Sequence, residues 1–262
     1  MTSSSDSVSP ALKRLLSDGR LRLAGAKTPD FTYDKPKSVC PTGIAEIDQA
    51  LPAKGLEIGA THEWFATSST SASREPWTPP LTILSLIAGQ IPTGMLVWIG
   101  RKIRPLPATL AQAQGLSILS RCLFIDPPDT GSKLWAIDQA LRNPAIGVVI
   151  ADASRLDMGA SRRLQLAAAA GQTLGLLARP PWEAGHISAA ATRWSVRPVP
   201  THTRNPRWKI EILHCKTGAI TGQWTIERIR EPNCGTCSLR IHADVVGGSS
   251  AAAVADIRRR IA

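Results

Sequence analysis

Between Met95 and Ala178 four uncharged runs, MLVWI, CLFI, IGVVIA and LGLLA, are separated by stretches long enough to form helices. A strand that is apolar at successive positions must be covered on both faces, and short buried strands alternating with helices build a parallel sheet. The intervening segments supply the helices: 107–115, 131–142 and 158–171, the last capped by Asp157. Upstream, residues 60–66 (ATHEWFA) read as a further buried strand and 81–89 as an apolar helix. The stretch Leu81 to Gly100 carries no charge, but Gly89, Gln90, Pro92, Thr93 and Gly94 break it into helix, turn and strand. It is no membrane span.

Beyond Ala178 the pattern changes. Residues 192–198, 207–215 and 222–229 alternate apolar and polar side chains, which suits antiparallel strands with one wet face. The expected fold class is α/β, a mostly parallel sheet flanked by helices and ending in an antiparallel hairpin. Three regions are expected: an N-terminal helix and linker over 1–39, the core over 40–230, and a tail over 231–262. The first contains an amphipathic helix in 8–26, and the core opens on a short helix over 42–51 begun by Thr42. Trp77 and Trp182 lie in proline-flanked loops and are candidates for exposed contacts, whereas the other six tryptophans suit core packing.

Composition bounds the partners. The net charge is +11, of which +8 falls in residues 151–262, so nucleic acid or an acidic protein is the expected partner class. Five cysteines and no apolar leader favour a reducing, cytoplasmic setting without a disulfide framework. Cys234 and Cys237 form a C-x-x-C, but His214, Cys215 and His242 stand at no recognised zinc spacing from it, and two thiols in a turn is the favoured reading.

The chemistry-bearing motif is a buried strand ending in a carboxylate, Val148-Val149-Ile150-Ala151-Asp152, the shape of a Walker B element that holds Mg²⁺ at a sheet's carboxyl edge. Its required companion, a Gly-rich loop ending in Lys-Ser/Thr, occurs nowhere in the chain. Where it should lie, between 60–66 and 81–89, the sequence is TSSTSASREPWTPP, without Gly or Lys and with prolines that lack an N–H.

Two sets of residues carry a family resemblance. QGLSILSRCLFIDPPDTGSKLWAIDQALRNPAIGVVIADASRLD from Gln114, TGIAEIDQALPAKGLEIGATHEW upstream and PRWKIEILHCKTGAITGQWTIERI downstream resemble the RecA-type core. SRRLQLAAAAGQTLGLLARP, ATRWSVRP and RWKIEIL resemble the ImuA family, RecA-like accessory proteins of DNA-damage-induced mutagenesis. The likeness covers about residues 40–230. It implies a part in the SOS response and translesion synthesis as a non-catalytic adaptor. The implied partners are an ImuB-type Y-family polymerase homologue, RecA, an error-prone replicative-type DNA polymerase and, non-specifically, DNA. No membrane or cofactor is implied.

Departures from RecA point the same way. Gly100-Arg101-Lys102 follows strand 95–99, where an active relative places its catalytic Glu, and the two segments that would carry DNA loops are short. Asp152 is therefore expected to be vestigial and the protein not to be an enzyme. The alternatives are a SulA-like cell-division inhibitor or a degenerate ATPase with Asp152 on Mg²⁺. The expected DNA contacts are Arg162, Arg163, Arg193, Arg197, Arg204 and Arg207. After the flexible Gly247-Gly248-Ser249-Ser250, a short helix with Val254, Ile257 and Ile261 on one face and Arg258, Arg259 and Arg260 beside it is the expected partner-binding element.

Overall fold

The computed structural model describes residues 38–66, 77–218, 220–230 and 237–242. The expected helix in 8–26, the substituted loop over 67–76, Cys234 and the tail helix with Val254, Ile257, Arg258, Arg259, Arg260 and Ile261 lie outside those residues. Among them the elements run β1 (Val39–Cys40), α1 (Ala45–Ala50), β2 (Leu56–Glu57), β3 (Thr61–Ala66), α2 (Leu81–Ala88), β4 (Met95–Ile99) and α3 (Pro107–Gln114). There follow β5 (Cys122–Ile125), α4 (Thr130–Arg142), β6 (Ile146–Asp152), α5 (Met158–Gly171), β7 (Leu174–Arg179), β8 (Thr192–Val199), β9 (Arg207–Cys215), β10 (Gln223–Arg230) and β11 (Cys237–Ile241). No helix among the described residues is long and apolar enough to cross a membrane.

Nine strands form one sheet in the order β11-β10-β9-β8-β3-β7-β6-β4-β5. From β8 to β5 every pairing is parallel, and from β8 to β11 every pairing is antiparallel. The apolar runs behave as two-sided strands must. Leu96, Trp98, Val148, Ile150, Leu174 and Leu176 join a core with α1, α2 and α3, while Val97, Ile99, Val149, Ala151 and Leu177 join a second core with α4 and α5. Helix α2 is buried at six of its eight positions, so the Ser85 hydroxyl, with no water to meet, donates to the Leu81 carbonyl at 2.6 Å.

Both long helices begin on an aspartate, as expected for caps. Asp129 accepts from the Ser132 N–H and Asp157 from the Ala160 N–H. At the other end of α5, Gly171 lies against the Leu141 carbonyl, leaving no room for a β-carbon.

Several expectations need correction. Thr42 does not open α1; its hydroxyl accepts the Ile44 N–H and its own N–H donates to Asp48, forming a turn ahead of a helix that starts at Ala45. Strand β8 alternates as expected, yet it is parallel to β3 on one side and antiparallel to β9 on the other. The sheet also continues past residue 230, because Cys237 begins β11 instead of sitting in a turn. Trp77 is buried, with the Lys102 ammonium 4.9 Å from its ring centroid, and Trp135 on α4 is exposed rather than packed.

Candidate functional site

Parallel sheets concentrate chemistry at the carboxyl ends of their strands. Here that edge holds Asp152 at the end of β6, the loop after β4, and Arg179 at the end of β7. Asp152 is buried, and both of its oxygens are engaged by the protein. The Ser154 N–H donates to Oδ1 at 3.0 Å. The Lys133 ammonium, reaching down from the first turn of α4, lies 3.3 Å from Oδ2 and donates to the Ser154 hydroxyl at 3.2 Å. Each side chain of the pair is 12% exposed. Gly100, at φ 111°, brings its backbone so close that an added β-carbon would stand 3.0 Å from Asp152 Cβ.

This geometry bears on what Asp152 can hold. A Mg²⁺-binding carboxylate offers an oxygen to a hydrated ion that also meets phosphate. At Asp152 that oxygen faces an internal ammonium, so the residues present do not fit a divalent cation unless Lys133 leaves. Among the described residues, no group of three or more His, Cys, Asp or Glu could hold a metal ion.

A second cluster lies between β3, β7, β8 and the start of α5. Glu63, in the middle of β3, and Arg179 have fully buried side chains, joined at 2.8 Å through Oε1 and Nη1. Arg179 also donates to Glu183 through Nε at 3.0 Å and Nη2 at 2.7 Å, and to the Leu156 carbonyl at 3.0 Å. Arg193 donates to Glu63 Oε2 at 2.9 Å, and the Ser188 hydroxyl to Oε1 at 2.7 Å. The Phe65 ring lies beneath both guanidinium groups, 5.6 and 4.9 Å from its centroid. Two carboxylates and two guanidinium groups thus compensate one another, the condition under which charge can be buried.

On the opposite face of β3 from Glu63, His62 is fully buried. The Trp194 indole N–H donates to the Thr192 hydroxyl, which donates in turn to His62 Nδ1 at 2.7 Å. That leaves Nε2–H to donate to the Glu57 carbonyl at 3.0 Å. Burial, partly offset by that carbonyl, pulls the imidazole down to about 4, so the ring is neutral. Burial, reinforced by the charge of Asp48, pushes the Cys40 thiol up to about 12, which makes it inert.

The chain is 27% identical over 242 residues to "Protein ImuA" of Caulobacter vibrioides strain NA1000 / CB15N, the match covering 85% of this chain and 96% of that protein. The protein of the same name from strain ATCC 19089 / CIP 103742 / CB 15 matches identically. This chain is distantly similar to ImuA. No protein-family model matches it.

The six arginines expected to meet DNA separate into two groups. Arg193 is held by Glu63, Arg207 by Glu227 at 3.2 Å, and Arg163 lies 3.5 Å from Asp138 on α4. Arg162, Arg197 and Arg204 are exposed. The three stand on different elements: Arg162 on α5, Arg197 on β8 and Arg204 in the β8–β9 turn. Lys133, Glu63, Arg179 and Glu183 are site residues that the sequence reading did not single out. A signal for two of them was present, since ATHEWFA and LGLLAR each place one charge in a run that must be buried, and such a charge demands a partner.

Proposed function

We propose that this chain is a non-catalytic, RecA-like adaptor of DNA-damage-induced mutagenesis and translesion synthesis in the cytoplasm. It would bring together an ImuB-type polymerase relative, RecA and an error-prone DNA polymerase. Similarity to ImuA over most of both chains supports the pathway. The contact that carries the non-catalytic reading is the one between Lys133 and Asp152. An internal ammonium there supplies the charge that an ATPase takes from Mg²⁺. The sequence adds two further supports: Gly100-Arg101-Lys102 in place of a catalytic Glu, and no Gly-rich phosphate loop. A fold that has lost its nucleotide chemistry retains surfaces, and an adaptor requires only those.

The test is genetic. Deleting the gene should reduce damage-induced mutation to the uninduced level, and a charge-neutral Lys133→Met, Asp152→Asn double variant should restore it. A deletion without effect on induced mutation would remove the pathway from the proposal. A double variant that folds but fails to restore would remove the non-catalytic reading.

A further inference from the structure

The buried charge cluster holds a loop. Between β7 and β8, residues 180–191 are fixed by Glu183, which accepts from Arg179 and from the Arg155 N–H at 2.8 Å. A second anchor is Ser188, whose hydroxyl donates to Glu63 and stands 2.9 Å from the Ser161 hydroxyl of α5. The Ala189 N–H donates to Ser161 as well, at 3.0 Å. The loop is thereby stitched to the β6–α5 connection and to the first turn of α5.

From this fixed backbone the apolar side chains point out. Trp182 is 61% exposed and Ile187 77% exposed. On α5, Ser161 and Gln165 face the loop and β3, and the next row round the helix, at the i, i+4 spacing, is Met158 and Arg162, both exposed. Arg155, whose N–H is bound by Glu183, is exposed too. The N-terminal end of the 14-residue helix α5 lies at the same edge, where the exposed Asp157 caps it by accepting the Ala160 N–H.

A mobile loop with an exposed Trp would carry little meaning. A loop pinned by a buried ionic cluster is different, because its anchors are ordered before any partner arrives, which reduces the cost of binding. Trp and Arg are the side chains most enriched at interface hot spots. We propose that Trp182, Ile187, Met158, Arg155 and Arg162 form a preorganised docking surface for an acidic protein segment with apolar anchors. Arg155 and Arg162 outweigh the capping Asp157 and favour carboxylates, while Ile187 and Met158 beside Trp182 offer aliphatic surface that suits apolar side chains better than a run of stacked bases. The surface uses neither Lys133 nor Asp152, although Ser154, which both of them contact, directly precedes Arg155.

The test uses the full chain and a labelled amphipathic peptide, with Leu at helical spacing and Glu elsewhere, followed by fluorescence anisotropy. Its counterpart with Lys for Glu and a single-stranded oligo(dT) are the comparison probes. The acidic peptide should bind, weaken as salt rises, and shield Trp182 from acrylamide relative to a Trp182→Phe variant. Trp182→Ala or Arg162→Glu should each raise Kd about tenfold or more, with the thermal midpoint unchanged because both side chains are exposed. Absence of acidic-peptide binding, equal binding of the Lys peptide, or binding indifferent to Trp182→Ala would overturn the proposal. Binding of oligo(dT) alone, lost on Trp182→Ala, would overturn it in favour of a nucleic-acid contact.

Discussion

Replacing Arg179 by Met should be among the most damaging single changes in the core. Its guanidinium donates four hydrogen bonds: two to Glu183, one to Glu63 and one to the Leu156 carbonyl. After the change Glu63 keeps Arg193 and Ser188, and among the described residues the Glu183 carboxylate keeps only the Arg155 N–H. A buried carboxylate without a cation and an orphaned carbonyl remain. Breaking a buried ion pair from one side costs about 3–5 kcal/mol, and the Met side chain recovers some of the packing of the lost stem. The expected loss is about 4 kcal/mol, a large part of the ~5–15 kcal/mol that holds a typical domain together. Urea unfolding at neutral pH measures it. Adding Glu183→Gln to Arg179→Met should restore at least about 1 kcal/mol, since it removes the stranded charge. A loss below about 1 kcal/mol, or strict additivity of the two changes, would refute the view that this cluster is a coupled buried unit.

His62 makes stability fall with acid. Its folded value of about 4 lies below the unfolded value of 6.5, so the stabilisation is fully present above pH ~6.5 and is lost as pH falls from there towards ~4. The span corresponds to about 3 kcal/mol, and His62→Gln should flatten that part of the curve in urea titrations run at successive pH values. Lys133→Met should cost about 1–3 kcal/mol by leaving the Asp152 carboxylate under-compensated, and adding Asp152→Asn should recover part of it in the same assay. If the chain binds DNA, neutralising Arg162, Arg197 or Arg204 should lower the salt slope of binding by about one each, measured by anisotropy. Neutralising Arg193 should lower stability first, because Glu63 already holds it.

The elements that periodicity determines were legible in the sequence. Asp157 capping α5, the helix–turn–strand division of Leu81 to Gly100, and the parallel strands all follow from local rules: a side-chain oxygen before an apolar helix, glycine and proline at turns, unbroken apolar runs. What escaped was decided by neighbours. Strand β11 is five residues, Cys-Ser-Leu-Arg-Ile, with no strong pattern of its own, and it forms because β10 offers an edge. Trp77 is buried although its proline-flanked context reads as exposed, because Lys102 and the α2–α3 core close around it. Arg193 reads as a surface cation until β8 is placed beside β3, where it stands directly opposite Glu63. Lys133 is the clearest case. Nothing at i±4 marks it as Asp152's partner, since 19 residues separate them and only the packing of α4 over β6 brings the two together.

On the proposed reading Asp152 supports no nucleotide chemistry, because Lys133 already compensates it. The direct measurement is ATP turnover by the purified full chain with Mg²⁺ and single-stranded DNA, run beside an Asp152→Asn variant. The two should be indistinguishable from the buffer background. A turnover that the wild-type chain performs and Asp152→Asn abolishes would contradict that reading.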